Sequence, residues 1–228
     1  MRLEQILFSQ GFGTRYDCRA LICQGEVSIH GRTVTDPDAE IPTDGLVFEV
    51  HSKPWPYYEK AVVLLNKPSG YECSQKPIHH PSVMSLLPAP LRKRGVQPVG
   101  RLDEDTTGVL LLTDDGQLIH RLTHPKKHVE KLYRVQCKHP VTEMMLEKLL
   151  EGVLLDGERL PVKAQKVQCL SSTLFELSIT QGKYHQVKRM VAAVGNRVVG
   201  LQRVGFGRIN LPDNLGLGQW CFIDPNEI

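Results

Sequence analysis

The chain has 228 residues, 41% hydrophobic and 23% charged, which suits one medium domain or a small domain beside a larger one and excludes a disordered protein. Its longest apolar runs, Val109 to Leu112 and Ala61 to Leu65, fall far short of the roughly 20 residues that span a bilayer, and Met1-Arg2-Leu3-Glu4 opens a charged segment rather than a secretory signal. The net charge of +3 is unevenly divided: residues 1–60 carry six basic against nine acidic side chains, a net −3, so the remainder carries +6, an excess compatible with a polyanionic partner.

Leu3, Ile6 and Leu7, then Ala20 and Leu21, recur at helical spacing, and Gly11 and Gly13 mark a turn between two short helices. Gly25 to Gly31 alternates as a strand ending in a tight turn, with Leu46 to Val50 as its partner. Lys53-Pro54-Trp55-Pro56-Tyr57-Tyr58 interrupts all periodicity, and two prolines in four residues favour an extended connector. The boundary is therefore expected there: a small domain over 1–50, a linker over 51–60 and a larger domain over 61–228. In the larger part, strands are predicted at Ala61 to Asn66, Val109 to Thr113, Leu132 to Cys137, Pro161 to Cys169, Phe175 to Thr180 and Arg197 to Gln202. Helices are predicted at Gln117 to Leu122, at Glu143 to Glu151, and around Val187, Met190, Val191 and Val194, with Gly195 placed as a C-terminal cap. Strands joined by short loops with few helices argue for an α+β fold with a mostly antiparallel sheet. Six cysteines (Cys18, Cys23, Cys73, Cys137, Cys169, Cys221) without a C-x-x-C pair fit reduced thiols in a cytoplasm better than disulfides or zinc. No exposed heptad suggests anything but a monomer.

Four segments carry chemistry. Val99 to Gly108 (VGRLDEDTTG) sets charged and hydroxyl residues between two glycines just before an apolar strand, so a carboxylate there is rigidly presented. Asp103 and Asp105 also form a D-x-D pair of the kind that holds divalent ions. Gly182 to Met190 (GKYHQVKRM) gathers Lys183, His185, Lys188 and Arg189 at a helix N-terminus, where the macrodipole disfavours cations, so a compensating internal carboxylate or bound phosphate is expected. Alternation in Glu130 to Val135 puts Tyr133 and Val135 on one strand face. Leu65 to Tyr71 (LNKPSGY) places Lys67 beside a loop.

Taken together, Gly100 to Gly108, Lys131 to Val135, Gly182 to Met190 and Leu65 to Tyr71 resemble, in order, the motifs of the pseudouridine synthases that act on ribosomal RNA, most closely those of the small subunit. The likeness runs through nearly all of residues 61–228. Residues 1–50 are similar to the small RNA-binding domain named after ribosomal protein S4, through Arg2-Leu3, Gly11, Thr14-Arg15, Leu21-Ile22, Gly25-Glu26-Val27 and Gly31.

The resemblance implies an α/β S4-like domain ahead of an α+β catalytic domain that isomerises uridine, uridine 516 of 16S rRNA being the implied target. Asp103 would be the nucleophile, Lys188 its cationic partner, and Tyr133 would contact the target base, stacking on it or assisting proton transfer. Arg101 would help extrude the uridine, Ile179 would line the base, and Asp105 would hold the loop. Lys67, Lys183, His185 and Arg189, with Arg2, Arg15, Arg19 and Arg32 of the small domain, would contact RNA. Neither cofactor nor metal is implied, and the partner would be ribosomal RNA or a small-subunit assembly intermediate, with no membrane. A large-subunit target, a silent rRNA-binding assembly factor, or a metal-dependent transferase using Asp103 and Asp105 are the competing readings.

Overall fold

The computed structural model describes residues 1–228, apart from the side chain of Pro225, and divides into two compact units. One comprises Met1–Ala61 with Leu87–Gln97, the other Val62–Leu86 with Pro98–Ile228. Among the described residues no helix is long and apolar enough to cross a membrane.

In the first unit, helices α1 (Leu3–Ser9) and α2 (Arg15–Cys23) form where the apolar spacing demands. The start of α2 is secured by Thr14, whose hydroxyl accepts from the Asp17 amide while the Asp17 carboxylate accepts from the Thr14 amide. Leu3, Ile6, Leu7, Cys18 and Ile22 are fully buried with Val27 and Phe48. Strands β1 (Val27–Ile29), β2 (Arg32–Thr33), β3 (Val47–Val50) and β4 (Lys53–Pro56) make an antiparallel sheet in the order β2-β1-β3-β4. The proline-rich stretch expected as a connector is thus a sheet strand over 53–56. It lies at the edge, where only one side of a strand needs amide donors, so Pro54 and Pro56 are tolerated. Trp55 pairs with Phe48 across the sheet, and the Phe12 ring meets both edge-on at 5.1 and 5.6 Å.

Helix α3 (Ala89–Arg94), which periodicity does not reveal, belongs to this first unit although it lies downstream of strand β5 (Val62–Lys67). Arg94 donates to Gln10 Oε1 at 2.6 Å and to the carbonyls of Tyr58 and Glu59 at 3.0 and 3.1 Å. A Cβ at Gly11 would sit 2.2 Å from the Pro90 carbonyl oxygen, so only glycine permits this approach.

The second unit continues past the short β6 (Gln97–Pro98) with β7 (Thr107–Thr113), α4 (Gly116–Thr123), β8 (Lys131–Cys137), α5 (Glu143–Glu151), β9 (Lys166–Cys169), β10 (Leu174–Ile179), α6 (Gln186–Ala193), β11 (Val198–Phe206), β12 (Ile209–Asn210) and β13 (Trp220–Phe222). The main sheet runs β13-β5-β7-β11-β8-β10-β9. Each neighbouring pair is antiparallel except β7 and β11. The α+β, mostly antiparallel architecture expected from the strand spacing is the one observed.

Two strands differ in extent. The run expected from Pro161 begins its strand only at Lys166, because Val162 bridges back to Val153 after α5. Strand β11 extends beyond Gln202 to Phe206. Beside the core residues Leu64, Val99, Val109 and Leu111, Phe206 and Ile209 close the apolar layer.

Gly108 explains the last glycine of VGRLDEDTTG. It has φ +99° and lies opposite Arg203 in the parallel pair, where an added Cβ would come within 2.1 Å of the Arg203 carbonyl oxygen. Gly108→Ala is therefore expected to destabilise the fold by about 2 kcal/mol, read as a lowered urea midpoint with unchanged slope.

Candidate active site

Asp103 sits on the turn between Gly100, whose φ is +74°, and β7. The turn is tied down from several sides. The Thr106 amide donates to the Asp103 carbonyl (3.1 Å), the Gly70 amide to the Glu104 carbonyl (2.9 Å) and the Leu102 amide to Cys73 Sγ (3.4 Å). Lys67, at the end of β5, is the strongest tie. Its side chain is fully buried, and Nζ donates to the carbonyls of Glu104 and Thr106 at 2.9 Å and of Pro68 at 3.0 Å. Burial pushes its pKa down, against the pull of nearby acidic groups. Lys67, expected to contact RNA, instead has all three ammonium hydrogens engaged inside the protein and holds the loop.

Helix α6 delivers the partner cation. Lys188 in its first turn places Nζ 3.2 Å from Asp103 Oδ2 and 2.6 Å from Asp105 Oδ1. Burial works against charge on Lys188, but its hydrogen bonds to Asp105 and Asp103 and their charges outweigh it and raise its pKa. Burial likewise opposes ionisation of Asp105, yet the Lys188 hydrogen bond and charge hold its carboxyl below the usual carboxylate range. The cations at the helix start thus meet internal carboxylates, one of the two compensations expected. His185, at φ +45° just before α6, points Nε2 to Asp103 Oδ1 at 3.5 Å and stacks on Tyr184 with ring centroids 3.8 Å apart. With Asp103 31% and Lys188 24% exposed, the carboxylate is reachable but its orientation is fixed by charge-assisted contacts.

Asp103, His185 and Lys188 line a cleft of about 540 Å³. Tyr133 and Ile179 are on its wall, both buried, and Arg101 stands exposed at its rim with no ion-pair partner among the described residues. Tyr133 and Val135 do share the buried face of β8. Asp103, Lys188, His185, Tyr133, Ile179 and Arg101 therefore come together from four separated segments. Among the described residues no three His, Cys, Asp or Glu side chains gather as metal ligands.

Other cations expected on RNA are held by the protein itself. Lys183 pairs with Glu158 at 2.5 Å, and Arg189 reaches Glu158 at 4.0 Å and donates to the carbonyls of Tyr184 and Asp156. In the first unit, Arg2 and Arg19 share Glu4 and Asp38 at 3.1–3.7 Å, a closed network on one buried and one exposed carboxylate. Arg15 lies over the Phe8 ring at 5.2 Å, and Arg32 is exposed on β2.

Sequence reasoning passed over Lys131 and Arg203, which also line the cleft, together with His124 and His128. The signal for Lys131 was its place two residues before Tyr133 on an alternating strand. Arg203 carried none, because an arginine after Gln202 reads as solvent-facing.

Residues 61–193 match the family model described as RNA pseudouridylate synthase, and residues 1–44 match that of the S4 domain. The chain is 38% identical to the ribosomal small subunit pseudouridine synthase A of Pasteurella multocida, covering 100% of this chain and 98% of that one. It is equally 38% identical to an RNA pseudouridine synthase of Bacillus subtilis, covering 100% and 97%. A solved pseudouridylate synthase structure, 37% identical, superposes with a TM-score of 0.70 over 100% of this chain and 97% of that one.

Proposed function

Since the chain belongs to the RNA pseudouridine synthase family, an RNA-modifying isomerase with an S4 domain, we propose that it converts one uridine of small-subunit ribosomal RNA to pseudouridine with Asp103 as nucleophile. The observation that carries the reading is the Asp103 carboxylate held 3.2 Å from Lys188 at the cleft that Tyr133 and Ile179 line. In the reaction the bond from N1 of uracil to C1′ breaks, the enclosed base turns, C5 bonds to C1′, and the C5 proton is lost as N1 gains one. Atoms balance without oxidant or cofactor.

On this reading each residue has a task its chemistry suits. Asp103 supplies the attacking oxygen, and Lys188 orients it and balances its charge. Tyr133 stacks on the base, and Ile179 covers its edge. Arg101, unpaired at the rim, fills the gap left when the uridine is turned out of the stack, offsetting a cost of a few kcal/mol. His185, beside Asp103, and the exposed Arg15 and Arg32 are available to RNA, whether free ribosomal RNA or a small-subunit assembly intermediate in the cytoplasm. Identity to the small-subunit enzyme of Pasteurella multocida over the full length favours that subunit, with uridine 516 as the target.

The test is incubation with small- and large-subunit rRNA transcripts followed by mass-spectrometric mapping. One new pseudouridine in the small-subunit RNA, at position 516, is the expected result. Modification of the large-subunit RNA alone would overturn the target, and none in either would overturn the reaction.

A further inference from the structure

The floor of the cleft carries charge that the roles above do not use. Strand β8 lies between β10 and β11, so Tyr133 is flanked by Leu177 and Arg203, and Lys131 by Ile179 and Phe206. Residues opposite one another share a sheet face, and a register shift between Arg203 and Gly205 lets Arg203 and Phe206, three apart, both stand on the cleft side. Two cations are thereby set into an otherwise apolar floor.

Neither has a counter-ion. Lys131 Nζ donates to the carbonyls of Val129 (2.7 Å) and Thr180 (3.2 Å) and lies 5.8 Å from the Phe206 ring centre, with no third hydrogen-bond acceptor among the described residues. Arg203 is 3% exposed. Its Nε donates to the Val109 carbonyl at 2.8 Å, its guanidinium lies 4.9 Å from the Phe206 ring centre, and Nη2 is buried without a hydrogen-bond partner. Among the described residues no carboxylate lies within ion-pair distance of either, whereas Lys188, on the Asp103 side of the same cleft, has two. Burial, and secondarily the charge of Arg203, push the Lys131 pKa down to about 8. Unpaired buried cations weaken a fold, and a site built this way is completed by an anion that arrives.

The reaction makes such an anion. When the N1–C1′ bond breaks, its electron pair stays with uracil and the charge spreads over N1, O2 and O4. Addition of a carboxylate to C6 would likewise put charge on O4. Tyr133 and Ile179, which line the cleft beside Lys131, offer an aromatic and an aliphatic surface to such a ring. We infer that Lys131, backed by Arg203, forms a cationic floor that stabilises the negative charge on the uracil ring while its glycosidic bond is broken. Lys131 is the group that touches the base, and Arg203 acts through its field. The inference rests on the isomerase reading but not on which atom Asp103 attacks.

The test is single-turnover release of tritium from a C5-tritiated small-subunit rRNA transcript by the full chain. Lys131→Met is expected to slow release by about 10²-fold, the scale of losing one oxyanion-type donor, with the RNA Kd changed less than about threefold. The carbonyls of Val129 and Thr180 lose a donor in this variant while a half-buried cation no longer has to be accommodated, two opposed effects, so Tm is expected to stay within about 3 °C of wild type. Lys131→Arg restores the charge and is expected to recover most of the rate. A Lys131→Met protein keeping more than about a third of the wild-type rate would overturn the inference, as would a Tm lowered by more than that with no rescue by arginine. Wild-type protein that released no tritium would instead overturn the isomerase reading itself.

Discussion

Asp103→Asn is expected to reduce isomerisation by on the order of 10⁴-fold or more while the fold and RNA affinity stay intact. The substitution keeps the side chain's volume and one carbonyl oxygen near Lys188 but removes the charge and the attacking oxygen. Lys188 is not left stranded, since Asp105 remains 2.6 Å away, and Asp103 is partly exposed, so no buried group loses its last partner. The melting temperature should therefore stay within about 2 °C of wild type. Single-turnover conversion of a small-subunit rRNA transcript separates this from a binding defect. If the variant kept as much as a tenth of the wild-type rate, Asp103 would not be the nucleophile.

The second large effect is expected far from the substrate. Lys67→Met replaces a fully buried ammonium by an apolar chain of similar length, strips the Lys67 donor from the carbonyl oxygens of Pro68 and Thr106, and leaves that of Glu104 with the Gly70 amide. Each unsatisfied carbonyl costs about 1–3 kcal/mol, partly offset because a cation need no longer be buried, for a net loss of about 3–4 kcal/mol. For a protein of this size that lowers Tm by about 10 °C. The turn that presents Asp103 loses its anchor, so the rate constant should fall with the RNA Kd unchanged. A raised Kd with an unaltered melting curve would show that Lys67 serves RNA and not the loop.

How much of this was legible in the chain depends on how local the cause is. Alternation through Leu132, Tyr133, Arg134 and Val135 suffices for β8 and for the shared face of Tyr133 and Val135. Apolar spacing suffices for α5, expected and observed over Glu143–Glu151. The cations before and within α6 announced their need for carboxylates, and Asp103, Asp105 and Glu158 meet it. That Asp103 would meet Lys188 came from motif resemblance alone, since no local rule links residues so far apart. What stayed hidden was set by distant partners. Pro54 and Pro56 looked like chain breakers until β3 offered them an edge position. Lys67 looked like a surface cation because only the folded loop provides its three carbonyls. Arg203 and Phe206 share the cleft face because of a bulge between Arg203 and Gly205 that sequence does not mark.

The assignment of Leu87–Gln97 to the first unit also bears on how the protein is made. An amino-terminal unit normally completes itself while the rest of the chain is still in the ribosome, in the order of synthesis. Here the acceptors offered by Gln10, Tyr58 and Glu59 must wait for Arg94, so the nascent first unit stays unfinished until β5 and the segment after it have emerged. The two units are interleaved in time as well as in sequence, and a gene cut near residue 55 would yield a carboxy-terminal fragment that still carries α3 with Tyr58 and Glu59 but has lost Gln10 and Gly11, the α1-side partners α3 was built to meet.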